Sequence, residues 1–588
     1  MNPKTRYSFE RPGPTTIISL ALAVLVSTIP ASGKIHPSTY KLGKRDTGHI
    51  HAWVFFSHKP PYLARSADAF PVTERALDRR RRRGAVQQEQ ARQLDQLVPA
   101  DFLQQVRITG ATIRRVSRWL NAVSVSATPE QLESLEKLPF VSRIEPVRRL
   151  VRPPLPAATP SVGPRTIMKS NAHQLDYGPS YNQLALMNVP ALHDLGYSGK
   201  DVIVLMLDTG FYKDHESILP ERILAEFDFL NNDGETQNES PEDDKYSQDN
   251  HGTNTYTALG GYSPGHLIGP AYQCSYLLAK TESVADEYQG EEDNYVAGLE
   301  WGEALGADIL SNSLGYLEWY TYEDLDGLTA VTTRAVIWAT RLGIVVVTAA
   351  GNEGTNSNWG GYIIAPADAD SIITVGAVDA KGELAGFSGH GPTSDGRTKP
   401  EVVAQGVGVA CASPGGPASY TYVSGTSLST PLVAGSAALL LEAHPTWRPE
   451  DVRIALMATA SRAHLPDNDY GWGIPNVLAA LDYNTGELSS QYTLAIGQIY
   501  PNPFPVGSRS FVLIPVSIPA QSSTRLDVYN IIGQHVVQLN WQKTSFVGPA
   551  FAIWDGGDNR GRRVPSGIYF VRLATGNKSI ARRVTVLH

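Results

Sequence analysis

Four short runs along the chain are apolar at almost every position, 202–207 (VIVLML), 275–279, 344–349 (IVVVTA) and 372–378, and a fifth strand candidate, 308–311 (DILS), is apolar at its two central positions. A strand with one face in water alternates apolar and polar residues, so runs that are apolar throughout predict strands covered on both faces. Between and after them, apolar positions recur at helical spacing over 295–305, 328–342, 428–443 and 450–460. Strands separated by helices predict an α/β unit over 171–484, three layers deep, with a mostly parallel sheet in the middle. Right-handed crossovers then put functional loops at the carboxyl ends of the strands.

The flanks carry other patterns. Residues 49–56 (HIHAWVFF) read as a strand and 73–97 as a polar, arginine-rich helix. Over 122–146 a strand (AVSVSA), a short helix opened by Thr128-Pro129-Glu130 and a second strand follow in turn. Residues 34–152 are therefore expected to form a small α+β unit. The arginine run at 79–83 reads as a solvated helix face. A Pro-rich stretch (PPLPAATPSVGP) opens an exposed linker over 153–170, where chain processing is expected. Beyond it and the α/β unit, 492–588 alternate as strands, for example 524–529 (TRLDVY) and 568–573 (IYFVRL). Turn signals stand at Asn502-Pro503, Asp555-Gly556-Gly557 and Pro565-Ser566-Gly567, which together predict a small β-sandwich.

Composition adds class and compartment. The chain has 588 residues, 42% of them hydrophobic, which excludes disorder, a collagen and a coiled coil. Lys4, Arg6 and Arg11 precede an apolar stretch at 17–29 that ends in Ala31-Ser32-Gly33. Such a stretch is too short to span a bilayer and has the layout of a cleavable secretory signal over 1–33. No later run approaches about 18 apolar residues, so no membrane span is expected in the mature protein. The net charge of −8 hides segregation: 34–152 carry 22 basic and 11 acidic residues, whereas 153–484 carry 15 and 42. Two such parts attract each other, and nucleic acid is an unsuitable partner for the second. Cys274 and Cys411 either pair as a disulfide or stay as two buried thiols, and no cysteine spacing suits a metal.

Three polar residues fall where strand-end and helix-start geometry exposes them. Asp208 ends the run VIVLML, His251 stands in Asp249-Asn-His-Gly-Thr253 after an acidic loop, and Ser427 immediately precedes a long apolar helix. A serine hydroxyl becomes a nucleophile when an imidazole takes its proton, and the imidazole needs a carboxylate to fix its tautomer. The order Asp, His, Ser separates this chain from the α/β-hydrolases, and Gly425-Thr-Ser-Leu-Ser429 lacks the second glycine of their nucleophile elbow.

The blocks Asp208-Thr-Gly, His251-Gly-Thr, Ala349-Ala-Gly-Asn352-Glu-Gly and Gly425-Thr-Ser427-Leu-Ser-Thr-Pro431, in this order, resemble the subtilisin-like serine peptidases. The resemblance implies a secreted endopeptidase acting on proteins or peptides through an acyl-enzyme. In it Ser427 attacks, His251 shuttles the proton, Asp208 orients the imidazole, and Asn352 donates to the oxyanion beside Gly351. It also implies that Ser313-Leu314-Gly315 pairs with an extended substrate backbone. Residues 49–147 resemble the inhibitor-like propeptide of such enzymes, through Arg118-Trp-Leu-Asn-Ala-Val-Ser-Val125 and Pro139-Phe-Val-Ser-Arg-Ile-Glu-Pro146. The C-terminal segment, with Tyr529-Asn-Ile-Ile-Gly533 and Val564-Pro-Ser-Gly-Ile-Tyr-Phe570, resembles the sorting domain of type IX secretion and the Ig-like domain of flagellar hook-capping proteins. That implies contact with export machinery or attachment at a bacterial cell surface.

Departures from the family pattern qualify these expectations. After His251-Gly-Thr many relatives continue His-Val-Ala-Gly, whereas this chain has Asn254-Thr-Tyr-Thr-Ala-Leu-Gly-Gly261. Ser217 stands where relatives often carry a calcium-ligating Asp. The acidic stretches 239–244 and 286–293 read as solvated loops, with a structural calcium the one cofactor left open and no metal in the catalytic chemistry. His173, His193, His215, His390 and His444 read as structural or exposed. A transpeptidase or cyclase on the same fold, and a non-catalytic surface adhesin or binding protein, are the rival functions.

Overall fold

The computed structural model describes residues 34–148, 173–483 and 495–587, except for 43, 45–47, 60–70, 85–87, 285–291, 318–319, 497–498, 500–501, 503, 506–511, 519–523, 540–547 and 577. The expected signal at 1–33 and the linker at 153–170 lie outside the described residues.

The N-terminal unit runs α1 (Thr39–Leu42), β1 (Ile50–Phe56), α2 (Glu74–Arg83), α3 (Gln88–Asp95), α4 (Ala100–Ile108), β2 (Thr112–Ser117), β3 (Ala122–Ala127), α5 (Pro129–Glu136) and β4 (Val141–Pro146). Its strands form an antiparallel sheet in the order β2-β3-β1-β4. Helix α5 opens with a reciprocal cap between Thr128 and Gln131, which satisfies two amides that the first turn leaves unpaired. The arginine-rich stretch holds two helices where one was expected. Gly84 ends α2 in extended backbone, and a Cβ there would fall 2.5 Å from the Arg80 carbonyl oxygen.

The central unit begins with α6 (Tyr181–Ala185), α7 (Val189–Asp194), β5 (Ile203–Asp208), β6 (Ile223–Asp228), α8 (Pro241–Tyr246) and α9 (Asn250–Gly260). It continues through β7 (Tyr262–Ser263), β8 (Leu267–Ile268), β9 (Ser275–Lys280), α10 (Glu292–Leu305), β10 (Ile309–Asn312), α11 (Val331–Arg341), β11 (Val345–Ala349), β12 (Ile373–Val378) and β13 (Val402–Gln405). The pair β14 (Val409–Ala412) and β15 (Tyr420–Val423) leads to α12 (Thr426–Ala443), α13 (Pro449–Ala458) and α14 (Val477–Leu481).

Seven strands make one parallel sheet, ordered β13-β12-β11-β10-β5-β9-β6. The expected α/β fold is present, with β6 and β13 added to the five strand candidates. Alternate residues of β5 serve different cores. Val204 and Met206 pack in the cluster holding Leu428, Leu432 and Leu439 of α12, while Ile203, Leu205 and Leu207 pack in the cluster of Val296, Leu299 and Val336 from α10 and α11. The second cluster also contains Trp53, Phe55, Leu94, Trp119, Ala122 and Val147, so the N-terminal unit shares a core with that helical layer.

The C-terminal unit has a three-stranded and a five-stranded sheet around one apolar cluster that includes Phe504, Val528, Trp554 and Val571. This matches the expected all-β sandwich. No helix among the described residues is long and apolar enough to cross a membrane.

Candidate active site

Strand β5 ends on Asp208 at the carboxyl edge of the parallel sheet. The Thr209 amide donates to its Oδ1 at 2.7 Å, and the Thr255 hydroxyl donates to Oδ2 at 2.9 Å. His251, the second residue of α9, places Nδ1 2.7 Å from the same Oδ1. This contact needs α9 to approach the strand end closely. A Cβ at Gly252 would stand 2.0 Å from the Gly210 carbonyl oxygen, so glycine is required there. An ionised carboxylate only accepts, so Nδ1 carries the proton and Nε2 is left as the basic nitrogen. Just before the ring, burial pushes the Asp249 carboxyl up to about 6.

Ser427 is the second residue of α12, buried like the rest of that helix's first turn. Its hydroxyl donates to the Ser313 carbonyl at 3.3 Å, and the Ser313 hydroxyl donates to the Ser427 carbonyl at 2.8 Å. The two segments are thereby held together, with the positive end of an 18-residue helix beside the serine. Asn352 is fixed through its oxygen. The Thr426 amide and hydroxyl donate to Oδ1 at 2.9 and 3.0 Å, which leaves the Asn352 amide nitrogen as the group not engaged by Thr426. The Gly351 amide donates to the Thr426 hydroxyl at 3.2 Å, and Gly351 has φ +103°, a conformation that excludes most side chains.

Gly354 serves the chain's own packing: a Cβ there would meet the Gly386 and Ser388 carbonyls at 2.5 Å. Ser313, Leu314 and Gly315 continue β10 without strand pairing, up to the bridge between Tyr316 and Ala365. Two residues escaped the sequence reading. Thr426 lay inside a quoted motif without a role, and Thr255 lay within the departure from the family pattern. Thr255 is four residues after His251, which puts it on the same helix face and gives the signal that could have found it.

A second cluster of chemistry lies on α10, under the N-terminal unit. Trp53 donates to Glu292 at 3.2 Å, Arg114 and Ser124 donate to Asp293 at 2.9 and 2.6 Å, and Arg118 donates to Glu300 at 2.9 Å and Glu303 at 3.1 Å. The arginine run joins them: Arg79, Arg80 and Arg83 are buried, not solvated, because they face Glu303 and Asp308. Asp293 is likewise buried and paired where a solvated loop was expected, and 286–291 lie outside the described residues. Charge segregation along the chain thus corresponds to a physical interface.

Other candidate groups are structural. His193 stacks on Tyr177 and contacts the Pro270 carbonyl, His215 contacts Ser217 and the Ser419 carbonyl, and His444 stacks on Trp447. Cys274 and Cys411 are buried free thiols. Among the described residues, the trio spaced for a cation is Asp228, Asp233 and Glu239. The Lys280 ammonium already stands 2.9 Å from Asp228, supplying positive charge there.

Comparison with known proteins gives the family. The profile of the subtilase family matches 199–473, and that of the peptidase S8 propeptide domain of Bacteroidota matches 51–159. Subtilisin E of Bacillus subtilis is 31% identical over 374 residues, 63% of this chain and 83% of that protein. Subtilisin of Bacillus pumilus is 34% identical over 312 residues, 53% of this chain and 99% of that protein. Serine protease AprX of Bacillus subtilis is 32% identical over 311 residues, 47% of this chain and 66% of that protein. The chain belongs to the subtilase family. It is a serine-type endopeptidase, a hydrolase, preceded by its own propeptide domain.

Proposed function

We propose that this enzyme is an exported endopeptidase that cleaves proteins through an acyl-enzyme on Ser427. The observation that carries this reading is the 2.7 Å contact of His251 Nδ1 with Asp208, reached from a strand end and a helix start, with Ser427 opening the neighbouring helix. His251 Nε2 takes the serine proton as the hydroxyl adds to the scissile carbonyl, then returns it to the leaving amine. Asp208 stabilises the imidazolium. The oxyanion is received by the Asn352 amide and the Ser427 backbone N–H. Ser313–Gly315 line an extended substrate by strand addition, supported by Gly315, whose amide and carbonyl make no hydrogen bond to other described residues. Residues 1–33 direct export, and 492–588 serve sorting or surface attachment.

Asn352→Leu is expected to lower kcat on a peptide substrate by about 10²–10³-fold with KM little changed, the range known for a side-chain oxyanion donor in a subtilisin. A loss under threefold would remove Asn352 from the oxyanion site.

The propeptide is retained as an inhibitor in this reading, and its hold is pH-dependent. Burial raises the Glu292 carboxyl to about 7, against the opposing pull of Arg148, the Tyr320 hydroxyl and Arg334. A carboxyl raised in the docked state favours docking fully below its ordinary value near 4.5, and that contribution is lost as pH rises through about 7. Glu303 has the opposite sign. Burial alone would raise it, but Arg79, Arg80 and Arg118 outweigh burial and hold it below its usual value, so its contribution is lost only in acid. Propeptide dissociation is therefore expected to be faster at pH 8 than at pH 5.5. Glu292→Gln should flatten that difference, and an unchanged pH profile in the variant would exclude Glu292 as its source.

A further inference from the structure

In a parallel sheet with helical crossovers, helices end near the starts of the strands, and their last carbonyls lack helical partners. Here α10 ends at Leu305 before β10, α11 ends at Arg341 before β11, and α12 ends at Ala443 on the same side. Asp208 closes the other end of β5, and Ser313 lies just past the other end of β10. With about 3.3 Å per strand residue, the two edges are about 20 Å apart.

Helix α2 fills the far edge with arginines spaced four residues apart. Arg79, 0% exposed, donates to the Glu303 carboxylate, the Glu303 carbonyl at 3.2 Å, the Ala307 carbonyl at 2.5 Å and the Leu342 carbonyl at 3.3 Å. Arg83 donates to Asp308 at 2.9 Å and to the Pro445 carbonyl at 2.8 Å. Arg75 takes the other Asp308 oxygen at 2.6 Å and the Asp201 carbonyl at 2.7 Å. Arg80 spans Glu303 and Asp95, and Arg118, from the body of the propeptide, reaches the same Glu303. Carboxylates and the negative ends of three helices converge on planar, multiply donating cations. A lysine, with one compact ammonium, could not reproduce the pattern.

We propose that the base of the catalytic domain is a guanidinium-binding site, and that α2 is a latch seated in it which keeps the propeptide on the enzyme after the connecting chain is cut. The inhibitory sheet is thus anchored from the edge opposite the cleft, and the delay between chain cleavage and full activity is set at that far edge. This rests on the reading of 34–152 as a retained inhibitor, but its test needs no activity from the enzyme.

The test uses the full chain carrying Ser427→Ala, with a recognition sequence for an added site-specific protease placed in 153–170. After cutting, dissociation of the propeptide is followed by size-exclusion chromatography. Arg83→Met, and separately Glu303→Gln, should speed dissociation by about 100-fold, as expected when one partner of a buried ion pair is removed. Arg79→Lys should not restore wild-type retention. A measurement without latch variants guards against misfolding: 0.2 M arginine should speed dissociation from the cut chain more than 0.2 M lysine at equal ionic strength. Equal rates in all chains, or equal effects of arginine and lysine, would place retention in the sheet contact alone and overturn the latch.

Discussion

Replacing Ser427 by alanine is expected to reduce peptide hydrolysis by about 10⁶-fold, the magnitude known for loss of the triad serine in a subtilisin. The reason is local. The serine hydroxyl stands at the start of α12 against the Ser313 carbonyl, and its backbone amide is one of the two proposed oxyanion donors. Alanine keeps the amide, the helix terminus and the Asn352 contact to Thr426, so only the nucleophile is lost. Casein cleavage and release of the propeptide from the full chain should fail together. Near-normal casein cleavage by the variant would refute the assignment, whereas loss of propeptide release alone would separate maturation from the main activity.

Asp208→Asn should cost about 10⁴-fold in kcat at neutral pH, the loss measured for this change in another serine protease. Thr209 and Thr255 donate to the two carboxylate oxygens, so an amide placed there must turn its NH₂ toward one of those donors or toward the ring. Facing His251, it stabilises the tautomer with the proton on Nε2, which cannot accept a proton from serine. Circular dichroism unchanged from wild type, together with the kinetic loss, would assign the effect to the tautomer. A loss below tenfold would contradict the role proposed for Asp208.

Much of this architecture could be read along the chain because it is local. The run ending at Asp208 is apolar on both faces and stops at a carboxylate, and β5 forms there. Helix α9 could not be read. Its residues, NHGTNTYTALG, are poor helix formers without a clear apolar stripe. It forms because it is buried against α12 and β14, with the Thr253 and Thr257 hydroxyls satisfied by carbonyls a turn back. The arginine run misled for a related reason. A polar helix looks solvated unless its partners are known, and the partner of Arg79 lies 224 residues away. Its four-residue spacing is visible in sequence, but spacing does not say which carboxylates will meet it.

The two sulfurs bear on how the chain would fare if it is exported as proposed. Cys274 and Cys411 are buried without a bridge, and burial raises both thiols well above their usual range, so little thiolate exists to react. No disulfide therefore restrains the unfolded polypeptide. The hazard is therefore confined to the interval before the core closes, when either sulfur could be oxidised or mispaired.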